Sequence, residues 1–329
     1  MLQPADGAQP VQHWALDLGQ LQPQAIRLQF LLEAGLLALL GGLIGIVLGY
    51  GAGVGVAALI PNFPPAQVPL WVVAAAAGFS ALVGVAIAEG AIRSVDDRMD
   101  AYDPSLAVNG FAGVTFKQAL QMSSGIGYDE EADRFKLFMD VITDYYTLGQ
   151  SGQDLVEKTY DVGLQTSFAP GSRYQYASIN SQAISRALEK AVGMSYQAYL
   201  QSRLWQRLAT PDDAKVLVDR KKNAFTLCCL YATTRSYATF GLLYARGGLL
   251  HGQQLLPAEW VRRSTRLDGD PGNWSNVPRD GNELGLYGFG YHWWPLAGER
   301  GDFSALGVFG QAIHVLPAQD VVIVRMSGD

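Results

Sequence analysis

From Ala34 to Ala88 the chain carries no Asp, Glu, Lys or Arg. A stretch that long without charge has few places to fold: inside a bilayer, or at the centre of a large core. Segment 35–60 is almost wholly Leu, Ile, Val, Ala and Gly. At about 1.5 Å per helical residue it is long enough to span a hydrocarbon layer roughly 30 Å thick. Pro61, Pro64, Pro65 and Pro69 then mark a loop, because proline breaks a helix interior. Segment 70–88 is a second apolar run that opens near Trp71. Together, residues 26–88 are expected to form a transmembrane-like helical hairpin. Gly41, Gly45, Gly49 and Gly53 lie on one stripe of the first helix, where a second helix can approach closely. For 70–88 a rival reading stays open, since a helix buried on every side in a soluble core is also apolar all round.

Residues 1–25 are rich in Gln and Pro and read as a poorly ordered lead-in. No secretory signal fits, because no basic opening precedes an early apolar run. The whole chain has 329 residues, a net charge of −6 and no basic run, which argues against nucleic acid as a partner. Cys228 and Cys229 are adjacent and match neither redox nor zinc spacing. The histidines, His13, His251, His292 and His314, form no metal-ligand spacing, so neither metal nor cofactor is expected. No Gly-x-Ser-x-Gly elbow, Walker loop or dinucleotide glycine pattern occurs.

From Glu89 the texture becomes that of a globular α/β or α+β domain, residues 89–329. Helices are predicted at Thr115–Met122, Tyr176–Val192, Met194–Arg207, Thr233–Arg246 and Leu255–Ser264, the last with Pro257 in its first turn. Gly247-Gly248 supplies a turn. Gly288–Trp294 and Gln311–Leu316 alternate as strands do, and Val321–Met326 is a β-branched run expected to be a buried strand.

The informative stretches are Ala86–Leu106, Gly113–Glu131, Phe168–Trp205, Tyr231–Val261, Tyr287–Trp294 and Gly307–Asp329. In this order they resemble the serine β-lactamase-like hydrolases, the class C and penicillin-binding-protein group. Within it the resemblance is to the 6-aminohexanoate-dimer hydrolase type, over about residues 79–329. It implies a β-lactamase/penicillin-binding-protein-like fold acting on small-molecule amides or esters, without cofactor. It also implies that this fold is incomplete at both ends, with its first strands and its last helix outside the chain.

Such enzymes use a Ser-x-x-Lys turn at the start of a buried helix, a tyrosine that shuttles the proton, and a C-terminal strand that offers an oxyanion donor. By resemblance, Tyr176 in Tyr176-Ala177-Ser178-Ile179-Asn180 takes the tyrosine's place. A phenol with a reference pKa near 10 acts as a base only beside a cation. Asn180 stands four residues on rather than two, so the usual tyrosine motif is not kept. Gly307-Val308-Phe309-Gly310-Gln311 matches the strand-opening motif, with Gly307, Phe309, Gly310 and Gln311 as the implied substrate contacts. The first element is missing: no serine is followed three residues later by lysine. The family's nucleophile helix runs on into a stretch like Ser80-Ala81-Leu82-Val83-Gly84, which puts Val73 at the nucleophile's place and Ala76 at the lysine's. Ser80 is a poor substitute, with nothing basic near it in sequence. The implied enzyme is therefore inactive as it stands.

Residues 26–85 resemble the last two membrane helices of a macrolide-export-type ABC permease, and the two resemblances overlap at Gly78–Val85. A membrane location with the hydrolase part in the cytoplasm is expected from this. The alternatives are a permease fragment or binding module, and a chimeric reading frame.

Overall fold

The computed structural model describes residues 73–130, 133, 165–219, 221–228, 230–268, 288–307 and 310–326. The chain divides into two units, Met1–Gln67 and Val68–Asp329, and every described residue lies in the second. Segment 35–60, with the first helix of the expected hairpin and its glycine stripe, lies outside the described residues.

Helix α1 spans Val73–Ala88. Residues Ser80 to Ala86 are all buried, and the helix packs on α3 (Ile179–Val192) and on a strand of the main sheet. A helix covered on every side has no reason to segregate polar residues to one face. The rival reading of 70–88 therefore holds for this part: residues 80–86, assigned above to a membrane hairpin, are a core helix of the globular unit. Among the described residues no helix is long and apolar enough to cross a membrane. Glu89 closes the end of α1, accepting from the Tyr199 hydroxyl at 3.0 Å and pairing with Arg203 at 2.8 Å.

The short helix α2, Phe116–Leu120, forms because Thr115 and Gln118 cap each other reciprocally, satisfying two otherwise unpaired donors. Helix α3 ends at Gly193, whose positive φ suits a glycine C-cap. The predicted 194–207 helix runs as Tyr196–Leu200, a π turn Gln201–Trp205 and Gln206–Leu208, α4 taken together. Helix α5, Thr234–Ala245, is capped by Thr233, and α6 spans Ala258–Ser264 directly after Pro257.

Two small hairpins precede the main sheet: β1 (Lys215–Val216) with β2 (Leu230–Tyr231), and β3 (Leu249–Leu250) with β4 (Gln253–Gln254). The main sheet is antiparallel in the order β5 (Trp294–Pro295), β6 (Phe303–Leu306), β7 (Ala312–Leu316), β8 (Val321–Arg325). Its register aligns Phe303 with Val315 and Val322, and Ala305 with Ile313 and Val324. Alternation along each strand puts these six on one face. Helix α5 covers that face so closely that a Cβ at Gly241 would lie 2.5 Å from Val322.

Two strand expectations need correction. Residues 288–293 are irregular and only Trp294–Pro295 is strand. The alternation there reflects aromatic side chains dividing between two clusters. The run from Val321 is a strand but not a buried one. Val321 and Ile323 are exposed, while Val322, on the other face, packs against Gly241 of α5.

Candidate active site

The chain around Tyr176 is held by a backbone zipper. Ser167 donates to the Gly125 carbonyl at 2.7 Å, Gly171 to Ser123 at 2.7 Å and Gln175 to Met122 at 2.7 Å. Gly125 has φ +77°, and a Cβ there would lie 2.1 Å from the Phe168 carbonyl oxygen. Only glycine fits so close a backbone crossing at positive φ. The zipper delivers Tyr176 to the threshold of α3. There the Ser178 N–H donates to Glu130 Oε2 at 2.8 Å, placing a carboxylate at the positive end of a helix.

The Tyr176 ring is half-buried and meets Phe289 edge-on at 6.1 Å. Phe289 in turn lies edge-on to Trp294 at 4.7 Å and near Tyr174 at 5.8 Å and His292 at 6.2 Å. Met122 and Leu267 complete this cluster, which is separate from the main core. Met122 and His292 both have left-handed backbone, φ 53° and 62°, a costly conformation for residues other than glycine. The His292 N–H donates to the Leu120 carbonyl at 3.2 Å. One strained residue, Met122, thus belongs to the tyrosine's cluster, and the other, His292, adjoins Phe289. Burial, reinforced by the Glu130 charge, pushes the Tyr174 phenol far above its ordinary value, so Tyr174 stays protonated while its neighbour Tyr176 is the more open phenol.

Asn180 is fully buried and its side-chain N–H2 donates to the Met122 sulfur at 3.3 Å. It ties α3 to the strained turn and packs under the cluster. On the far side, Asp268 binds Arg263 at 2.7 Å and Lys117 at 3.4 Å and accepts from the Tyr291 hydroxyl. Gln121 donates to its carbonyl. These bonds fix α2 against α6 and the residues that follow it.

Gly307 and Gln311 close a turn through the Gly307 N–H to the Gln311 carbonyl, 2.8 Å. Gly310 has φ +73°, and a Cβ there would stand 3.3 Å from the Arg325 guanidinium carbon. Phe309 lies outside the described residues. The turn joins β6 to β7, and β6 pairs with β5 at Trp294, a member of the Tyr176 cluster. The sheet therefore links the two motif regions. Val73 opens α1 and Ala76 follows three residues later on the same helix. Neither side chain can ionise or attack. Ser80 is sealed in the core at 0% exposure, which removes it as a nucleophile.

Glu130, Phe289 and Trp294 were not singled out from sequence. The stretches that hold them carried the resemblance, but no spacing ties Glu130 to α3 or Phe289 to Tyr176, since both contacts are made across the fold.

An antiparallel sheet packed by α1 and α5, with a tyrosine at the head of α3, is the arrangement that the resemblance implied. In agreement, the fold resembles a Bacillus anthracis protein described as a 6-aminohexanoate-dimer hydrolase: TM-score 0.61, 19% identity, 81% of this chain and 69% of the other. It also resembles the octameric penicillin-binding protein homologue from Pyrococcus abyssi, with TM-score 0.55 and 18% identity over 78% of this chain and 62% of that one. The Beta-lactamase family matches residues 78–328, and the chain belongs to that family. A curated relative, the 6-aminohexanoate-dimer hydrolase of Paenarthrobacter ureafaciens, is 26% identical over 258 residues, 75% of this chain. The chain spans 62% of that relative's length. The family match begins at residue 78, beyond both Val73 and Ala76.

Proposed function

We propose that residues 73–329 form a β-lactamase-type hydrolase domain shaped for small amides or esters, in which Tyr176 holds the proton-shuttle place and turnover is absent. The observation that carries this reading is the burial of Ser80 in a chain where no serine is followed three residues later by lysine; by the resemblance, Val73 and Ala76 take the places of nucleophile and amine. A phenol acts as a base only beside a cation, and by the resemblance the lysine that would supply one is replaced by Ala76. Removal of nucleophile and base together leaves only the small rate that binding and oxyanion contacts provide.

The test is covalent labelling. The native chain is expected to form no adduct with a fluorophosphonate or a penicillin-type probe, and an adduct would overturn the inactive reading. The double substitution Val73→Ser with Ala76→Lys is expected to create labelling, and adding Tyr176→Phe is expected to suppress it. Labelling in the double variant that survives loss of the Tyr176 hydroxyl would count against that residue's role.

We further propose that the apolar segment 35–60 holds the chain at a membrane, with the hydrolase domain on the cytoplasmic side. The support is the charge-free composition from Ala34 onward. Release of the full chain from membranes by carbonate without detergent would exclude it.

A further inference from the structure

Exposed apolar side chains and cations gather on one hairpin of the fold. Strands β1 and β2 pair antiparallel with Lys215 directly opposite Tyr231, and a bridge from Val218 to Ala224 extends the hairpin beyond β1. Its inner end is fixed to α3, where Gln182 donates to the Ala224 carbonyl and accepts from the Thr226 N–H, both at 3.0 Å. Its tip is closed by Asp219, whose carboxylate accepts from the Asn223 N–H at 2.8 Å and from the Asn223 side-chain amide at 3.0 Å. The Lys222 N–H donates to the Asp219 carbonyl at 3.0 Å, and the Lys222 carbonyl accepts from Gln197 at 2.6 Å. The hairpin is thus braced by the fold along its length.

Strand alternation turns Val216 and Leu230 toward the core and leaves Lys215, Leu217 and Tyr231 on the outer side. Tyr231 is 56% exposed, Val218 41% and Leu217 38%. Lys215, Lys221 and Lys222 are exposed beside them. Over residues 215–223 four cations (Lys215, Arg220, Lys221 and Lys222) stand against one acid (Asp219), a local charge of +3 in a chain whose net charge is −6. That one acid is committed to the turn. Asp212 and Asp213 precede the hairpin at its base, where Asp212 accepts from the Thr233 hydroxyl at 3.0 Å.

This combination selects its partner. Cations grip a nucleic-acid backbone, but exposed aliphatic side chains gain nothing from one. A second copy of the hairpin would bring like charges together. A bilayer surface answers both features. Apolar tips enter the boundary between headgroups and acyl chains, and tyrosine favours that boundary. Lysine stems lie along it with their charged ends in water, and anionic lipid attracts them. We infer that the β1–β2 hairpin is a docking surface for a leaflet containing anionic phospholipid, with Leu217, Val218 and Tyr231 at the acyl boundary and the lysines among the headgroups. The contact asks nothing of Tyr176, and nothing of segment 35–60.

Hydrogen exchange of the full chain, followed peptide by peptide, reads the hairpin alone and so separates this contact from any hold by segment 35–60. Vesicles of phosphatidylcholine and phosphatidylserine in equal parts are expected to slow exchange over residues 214–223. Vesicles of phosphatidylcholine alone are expected to leave it unchanged. About 1 M salt, which screens charges beyond about 3 Å, is expected to abolish the slowing. The double substitution Lys221→Glu with Lys222→Glu is expected to weaken the protection at least about 25-fold, since each cation near an anionic surface contributes about a fivefold factor. Residues 224–230, fixed to α3, report in the same experiment that the fold is intact. No slowing with the anionic vesicles, equal slowing with both kinds, or slowing unmoved by the double substitution overturns the inference. Protection that rises with protein concentration in the absence of vesicles would assign the surface to a second copy and overturn it too, as would stronger protection by an RNA oligonucleotide than by vesicles.

Discussion

Trp293 and Trp294 are neighbours in sequence and belong to different worlds. Trp293 is 0% exposed and packs with Tyr244, Phe240 and Phe303 in the main core. Trp294 faces the other way, against Phe289 and Tyr174 in the half-open cluster that holds Tyr176. The two side chains leave the backbone on opposite sides where the chain enters β5, so one peptide bond separates a sealed core from a candidate active site. Both regions contain tyrosine, tryptophan and a serine hydroxyl nearby. What separates them is access: Ser80 and Tyr244 are enclosed, whereas Tyr176 is partly open and shares its cluster with the strained backbone of Met122. Residue type alone does not make a site, and exposure with local strain is the better guide.

Substitution at the two tryptophans probes this division most directly. Trp293→Ala is expected to cost about 3–5 kcal/mol, as for other large core aromatics, read as a large drop in denaturant midpoint. Trp294→Ala is expected to cost only about 1 kcal/mol, typical of a partly exposed residue. It should also lower probe labelling of the Val73→Ser, Ala76→Lys variant by loosening Phe289 beneath Tyr176. Equal costs at the two positions would dissolve the distinction between sealed core and open cluster.

Acid separates the regions differently, because their ionic anchors lie outside both. Asp100 is held below the ordinary carboxylate range by the forked Arg98 bonds, 2.9 and 2.6 Å, with help from the Gly113 N–H. Burial pushes Asp103 up, but the Ser105 bonds and Arg186 together outweigh it, so it too lies low. A carboxylate lowered on folding stabilises the native state above its unfolded value, about 3.9. That stabilisation is lost as pH falls through the lower folded value. Thermal stability should therefore hold steady toward pH 5 and fall steeply below pH 4, by about those unfolded-state values. The Tyr174 and Trp293 clusters should disassemble together, since Asp103 and Asp100 anchor the loop that α3 packs upon, and α3 in turn packs on α1. A melt in which near-ultraviolet signals from the two clusters separate would show that they unfold independently.

The smallest effect is expected at the sheet edge. Ile323 is 54% exposed on β8 and points away from α5. Ile323→Lys should change stability by no more than about 0.5 kcal/mol while reducing self-association, because a lysine on an exposed edge discourages strand pairing. Light scattering of the two proteins at equal concentration checks this. A large loss of stability would mean that this face is covered in the full chain.

Much of the helical framework was legible in advance because its signals are local. Thr115 with Gln118, Thr233, Pro257 and the Gly247-Gly248 turn mark boundaries through caps and backbone angles that depend on a few adjacent residues. Tyr176 and the Gly307–Gln311 turn were reached by motif. The partners of Tyr176 were not, because Phe289, Trp294 and Met122 come from distant segments and meet only after the sheet and α3 have formed.

The amino-acid sequence by itself determined that no serine precedes a lysine by three. It also determined that α1 would be apolar, but not why, since a bilayer and a protein interior select the same side chains. Only the tertiary structure decided that residues 80–86 belong to a core. It alone turned adjacent tryptophans into opposite environments. Periodicity reports whether a face is apolar, whereas what covers that face is fixed by contacts between residues far apart in the chain.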